Sequence, residues 1–120
     1  TQVTEIINGQ LKEITITPED FGLQRYSLDS IKGGTPQENA DIIRTILSGK
    51  GTSAHNAAVI INCAALLYLH DKTSNLKSAA TMAEAVLSSG KGLITLEKMA
   101  HISNQQLTSG TMAQKPETKL

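Results

Sequence analysis

A β-hairpin followed mainly by α-helices is the architecture this sequence predicts, on three observations. Asn8-Gly9 lies between two stretches rich in alternating apolar and polar residues. A Thr-Pro segment with acidic residues close behind occurs at Thr17 and again at Thr35. From Ile42 onward the apolar residues fall at helical rather than strand spacing. With 120 residues, 39% of them hydrophobic, the chain fits one domain around one core.

The hairpin spans Val3 to Ile16, because Asn-Gly is the favoured two-residue turn and both residues tolerate positive φ. Counting outward from that turn sets Ile6 opposite Leu11, Glu5 opposite Lys12 and Val3 opposite Ile14. An opposite-charge pair thus neighbours an apolar pair on one face. Nothing later in the chain reads as a third strand, and an isolated two-stranded ribbon is only marginally stable in water. The hairpin therefore needs a sheet or helix surface from elsewhere.

Thr17-Pro18-Glu19-Asp20 combines an N-cap, a proline at the first helical position and acids in the first turn, which predicts a short helical turn through Phe21, stopped at Gly22. Thr35-Pro36-Gln37-Glu38 repeats the device as a capping box before Ile42, Ile43, Ile46 and Leu47, and this helix ends near Ser48-Gly49-Lys50-Gly51. Ser53 to about His70 is apolar nearly all round, so that helix should be buried on most sides. Ser74 can cap a third helix that carries Leu76, Ala79, Ala80, Ala83, Val86 and Leu87 on one face, with Gly90 as its stop. Leu93 to Ile102 gives a short fourth. Beyond it, residues 103–120 lose periodicity and become rich in Ser, Thr, Gln and Lys, the composition of a polar, disordered tail after a structured part over 1–102.

Composition excludes several functions. Eleven basic residues balance eleven acidic ones, and aromatics make up 2%, so neither a net field nor stacking platforms favour nucleic acid. The longest apolar run is interrupted at Asn62, too short to span a bilayer. A single cysteine, the absence of an Asn-x-Ser/Thr acceptor and the lack of a basic, then apolar, leader point to the cytoplasm. The sequence opens with Thr1 directly in a strand pattern, as expected of a piece of something longer.

Few residues invite a chemical role. Gly49-Lys50-Gly51-Thr52 follows a helix and lacks the order of a phosphate loop, so a helix connector is the expectation. In Gly33-Gly34-Thr35-Pro36 the capping box uses the donors that an anion would need. His55, His70 and His101 share no metal-like spacing with one another or with Cys63, which is expected in the core. Asn62 is expected to be buried and tied to the backbone of a neighbouring element. The acidic pairs Glu19/Asp20 and Glu38/Asp41 could hold Mg²⁺, but acids in first helical turns are explained by the helix dipole. No residue is assigned a catalytic, substrate-binding or metal-ligating role.

Taken together, Thr17-Pro18-Glu19-Asp20-Phe21-Gly22-Leu23 and Gly33-Gly34-x-Pro36-x-Glu38-Asn39-Ala40 resemble the C-terminal part of the anthranilate phosphoribosyltransferases. Ile42-Ile43, Gly49-Lys50-Gly51, His55-Asn56-Ala57, Asn62-Cys63-Ala64-Ala65-Leu66 and Ser89-Gly90-Lys91 follow in the family's order, so the resemblance runs from Thr1 to about Ala100. It implies an α/β subunit of the nucleoside phosphorylase/phosphoribosyltransferase type, acting as a homodimer. It also implies transfer of the phosphoribosyl group of phosphoribosyl diphosphate to anthranilate, with Mg²⁺, in tryptophan biosynthesis. The family's pyrophosphate loop, anthranilate-binding Arg and Asp-Glu metal pair lie upstream of what this sequence contains, so none is matched. The related pyrimidine nucleoside phosphorylases, non-catalytic relatives that bind nucleic acid, and a helical interaction module are the alternatives. Balanced charge disfavours nucleic acid, and the Thr17 to Leu23 motif favours anthranilate transfer over phosphorolysis.

Overall fold

The computed structural model describes the backbone of residues 1–70 and 72–111, and their side chains as far as Gln105. Strands β1 (Gln2–Ile7) and β2 (Gln10–Thr15) pair antiparallel in the register expected from the turn, with Ile6 opposite Leu11, Glu5 opposite Lys12 and Val3 opposite Ile14. The turn works because Asn8 and Gly9 take φ of 52° and 77°. At the open end, the Ile16 N–H donates to the Thr1 carbonyl at 2.8 Å and the N-terminal ammonium donates to the Ile16 carbonyl at 2.8 Å.

A 3₁₀ turn over Pro18–Phe21 follows and ends at Gly22, as expected. It aims Phe21 into the core. A second 3₁₀ turn, Leu28–Ile31, is not foreshadowed by the sequence pattern, since it carries no apolar period and no Pro or Gly at its start. Helix α1 (Pro36–Thr45) begins at the Thr35 box and widens into a π turn over Ile46–Lys50. Gly49 closes that turn with φ of 81°, and a Cβ on it would lie 2.8 Å from the Ser88 carbonyl oxygen. Only glycine satisfies both the dihedral and the approach.

Helices α2 (Ser53–Leu69) and α3 (Leu76–Ser88) form the body of the molecule. The cap of α3 is Asn75 and not Ser74: the Asn75 side-chain oxygen accepts from the Ser78 N–H at 2.8 Å, whereas the Ser74 hydroxyl only accepts from the Asn75 amide at 3.3 Å. Asparagine in the extended backbone region ahead of a helix reaches the third N–H as readily as serine does.

Helix α4 (Lys91–Thr111) is longer at both ends than the expected Leu93 to Ile102. Apolar periodicity fades after Ile102, but no proline or glycine interrupts residues 103–109, so backbone hydrogen bonding continues without it. The part of the expected disordered tail at 103–111 is therefore helical, and the rest, 112–120, lies outside the described residues.

The core is a seam of small residues. Ala64 and Ala79 are 0% exposed, Ala80 and Ala83 are buried beside them, and Phe21, Ile46, Ile60 and Leu87 fill the ends. Alanine at these positions lets α2 and α3 approach closely. The expectation that α2 is buried on most sides is not met. Ala54, Ala57, Ile60 and Ala64 are buried, whereas Leu66 and Leu69 are 62% and 69% exposed, and Asn62 and Cys63 are exposed too. One helix neighbour covers one face, and α3 is the main neighbour that α2 has. Val86, expected on the buried face of α3, is likewise exposed. Among the described residues no single helix is long and apolar enough to cross a membrane.

The two glycine environments predict different costs. Gly9 faces open space, so Gly9→Ala should lose only the left-handed penalty of about 1 to 2 kcal/mol. Gly49→Ala must also displace the Ser88 carbonyl, and the expected loss is roughly 2 to 4 kcal/mol. Urea unfolding of both variants measures the difference, and equal costs would show that α3 yields freely at Ser88.

Candidate functional site

Two glycine-preceded helix N-termini are the places where a phosphate or carboxylate could bind, and their local geometry decides whether they can. At α1 the Thr35 N–H and hydroxyl donate to Glu38 Oε2 at 2.7 and 2.8 Å, and the Glu38 N–H donates back to the Thr35 hydroxyl at 3.3 Å. Asn39 closes the preceding loop: its Oδ1 accepts from the Gly34 N–H at 2.8 Å and its amide donates to the Gly34 carbonyl at 3.0 Å. A Cβ on Gly34 would collide with the Glu38 carboxylate, and one on Gly33 with the Asn39 amide. The glycines make room for side chains of the same helix. The donors from Thr35 hold the Glu38 carboxyl below the usual carboxylate range, the backbone N–H first and the hydroxyl second.

At α2 the Thr52 hydroxyl accepts from the His55 N–H at 3.2 Å and sits 3.1 Å from His55 Nδ1. The Asn56 amide donates to the Gly51 carbonyl at 3.3 Å, and its Oδ1 lies directly against the Gly51 α-carbon without a hydrogen-bond partner. Gly49-Lys50-Gly51-Thr52 is thus a connector clamped between Ser88 on one side and Asn56 on the other. That is the expected reading of this stretch.

The acidic pairs are committed elsewhere. Arg25 grips Glu19 through Nε at 2.7 Å and Nη2 at 3.2 Å, which lowers the Glu19 pKa to about 2. Asp20 accepts from the Thr17 N–H and hydroxyl at 2.7 and 3.1 Å. Asp41 is 3.4 Å from the Gln37 amide. A Mg²⁺ site needs several carboxylate oxygens facing one point, and these face their own caps and Arg25. The donor set does not fit the cation. Among the described residues no three His, Cys, Asp or Glu side chains gather.

Asn62 and Cys63 depart from expectation. Asn62 is exposed, and its amide donates to the Ala58 carbonyl of its own helix at 2.8 Å, not to another element. Cys63 is an exposed thiol rather than a core residue. Both lie on the outer side of α2, which period alone could not assign on a helix apolar all round. The one sizeable depression among the described residues, about 410 Å³, lies between the loop Gly22–Tyr26, the start of α2 at Ser53 and Asn56, and Glu84 of α3. It brings together no nucleophile with a base. The sequence reading missed the Arg25 clamp on Glu19, a contact six residues apart that no helical spacing rule flags, and the fold of Asn39 back onto Gly34.

The sequence model of the glycosyl transferase family, a/b domain, matches residues 1–93. The chain belongs to that family. It is 64% identical over 109 residues to anthranilate phosphoribosyltransferase of Colwellia psychrerythraea, covering 91% of this chain and 30% of that protein. With the enzyme of the same name from Aeromonas salmonicida it shares 47% over 106 residues, 88% of this chain and 32% of the other. The crystal structure of anthranilate phosphoribosyltransferase from Thermus thermophilus superposes with a TM-score of 0.68 at 37% identity, over 72% of this chain and 26% of that one. The chain thus spans about 30% of the length of the curated relatives it matches. A hairpin leading into helices is the form this segment of the fold takes, and the resemblance drawn from its motifs agrees with the family match.

Three outcomes follow. Thr35→Ala should destabilise by about 0.5 to 2 kcal/mol while turnover per folded molecule holds, read by thermal melting beside activity. Asn62→Ala, which breaks only an intrahelical contact on an exposed face, should shift stability by no more than about 0.5 kcal/mol. Because the folded pKa of Glu19 is depressed, the stability its pair contributes is present above the unfolded carboxyl's value of about 4.3 and is lost as pH falls toward about 2. In Arg25→Gln the Glu19 carboxyl, followed by NMR, should titrate back near its ordinary value.

Proposed function

We propose that this chain is the C-terminal part of an anthranilate phosphoribosyltransferase. The observation that carries the reading is 64% identity over nearly the whole chain to the Colwellia psychrerythraea enzyme of that name. The reaction moves the phosphoribosyl group of phosphoribosyl diphosphate to the amine of anthranilate: the anomeric carbon gains a bond to nitrogen, loses its bond to oxygen, and pyrophosphate leaves. This is a step of tryptophan biosynthesis, carried out in the cytoplasm by a homodimer.

Displacing pyrophosphate calls for a cation on the leaving group, N–H donors around the phosphates and stabilisation of the charge that develops at the sugar. This chain's caps keep their own donors, and its acidic pairs keep their own partners. The catalytic, substrate-binding and Mg²⁺-holding residues accordingly belong to the part of the enzyme outside this sequence, and residues 1–102 serve as one part of its α/β domain. Their work is structural. The α2–α3 body covers one side of that domain, and the hairpin supports its sheet.

Anthranilate fluoresces and its phosphoribosyl product does not, so the assay is direct. The full-length polypeptide carrying this segment should quench anthranilate fluorescence in the presence of phosphoribosyl diphosphate and Mg²⁺, and the purified 120-residue chain should not. Activity in the short chain would refute the division of labour. Phosphorolysis of a pyrimidine nucleoside by the full-length protein, without anthranilate transfer, would refute the assignment.

A further inference from the structure

Helix α2 has two apolar faces and only one is used. At about 3.6 residues per turn, Ala57, Ile60 and Ala64 fall on one side, where they are buried, and Asn62, Leu66 and Leu69 fall on the other, flanked by Cys63. The outer face differs from the other exposed helix surfaces described here. Between Ser53 and Leu69 there is no Asp, Glu, Lys or Arg, whereas α3 exposes Lys77 and Glu84, and α4 exposes Glu97 and Lys98. Its single amide, Asn62, has turned inward onto the Ala58 carbonyl, which lowers the cost of desolvating this face.

We propose that the outer face of α2, centred on Leu66 and flanked by Cys63 and Leu69, docks on the β-sheet of the same a/b domain. The sheet is supplied by the part of the polypeptide outside this sequence. The inference rests on the reading that the chain is a segment of a longer transferase. Two observations select a sheet as the occupant. The family is an a/b domain, an architecture in which helices lie on the faces of a largely parallel sheet, yet the described residues contain only one antiparallel pair of strands. The chain also accounts for about 30% of its relatives' length, which leaves ample chain to build that sheet. A helix apolar on both faces is the form expected of one caught between two layers, with α3 on one side and the sheet on the other.

Cys63 reports on the proposal without a destabilising substitution. The full-length polypeptide is treated with a maleimide, native and in denaturing urea, and modification of the Cys63 peptide is followed by mass spectrometry. Burial against the sheet should slow the native rate at least tenfold, to about the level set by local opening. The variant Leu66→Cys, in a Cys63→Ser background, should be protected to a similar degree at the centre of the face. A native rate within about twofold of the denatured one at both positions would overturn the proposal. So would protection that disappears when subunits are separated by dilution, since a second copy would then be the cover. Protection seen only with added phosphatidylglycerol vesicles would also overturn it, with lipid as the cover. Activity separates the two readings: anthranilate transfer with an open Cys63 rejects this docking alone, and a protected Cys63 without transfer rejects the function alone.

Discussion

The close approach of α2 and α3 is the constraint on which the rest of this structure depends. Ala64 and Ala79 have no exposed surface, and Ala80 and Ala83 continue the seam, so the helices meet through backbone and methyl groups rather than interlocked long side chains. Dispersion at such a seam is spread over many short contacts, and its strength depends on both helices holding their positions. Phe21, Ile46 and Leu87 supply the bulk at the edges of the seam, and each comes from an element whose end is pinned by a cap or a glycine. Gly49 under the Ser88 carbonyl is one such pin, fixing where the end of α1 meets the end of α3. Local termination and tertiary packing are therefore one problem in this chain.

That coupling explains which parts of the fold are legible in the sequence. The hairpin register follows from two residues, Asn8 and Gly9, because a two-residue turn leaves no freedom in pairing. The Thr17 and Thr35 boxes are equally local, and both form with the expected partners, Asp20 and Glu38. What resists reading is what depends on distant neighbours. Asn62 and Cys63 sit on a helix whose period does not distinguish two faces, so their side could be assigned only from the position of α3. The choice of Asn75 over Ser74 as a cap turns on a single backbone conformation, an extended residue with φ of −159°, that composition does not encode. The far end of α4 went unread for the opposite reason. Loss of apolar spacing marks the loss of a packing surface, not of the helix itself.

Capping and catalysis compete for the same groups, and in this segment capping has taken them. A helix N-terminus binds phosphate when its first N–H groups are unengaged, and a carboxylate holds a metal when its lone pairs are unengaged. At α1 the Thr35 box and Asn39 occupy the N–H groups, the Thr35 donors occupy Glu38, and Arg25 occupies Glu19. Thr52 and His55 close the start of α2 in the same way. The sequence marks of an anion site, two glycines ahead of a capped helix, are present in Gly33-Gly34-Thr35-Pro36, yet the glycines accommodate the Asn39 and Glu38 side chains. Distinguishing the two uses of one motif requires knowing what lies five residues on, which is where Asn39 decides the matter. A segment whose polar groups are spent on its own helix ends contributes rigidity to an enzyme rather than reactivity. Its remaining unspent surface is the apolar, uncharged side of α2, where the hydrophobic effect alone is available to do further work.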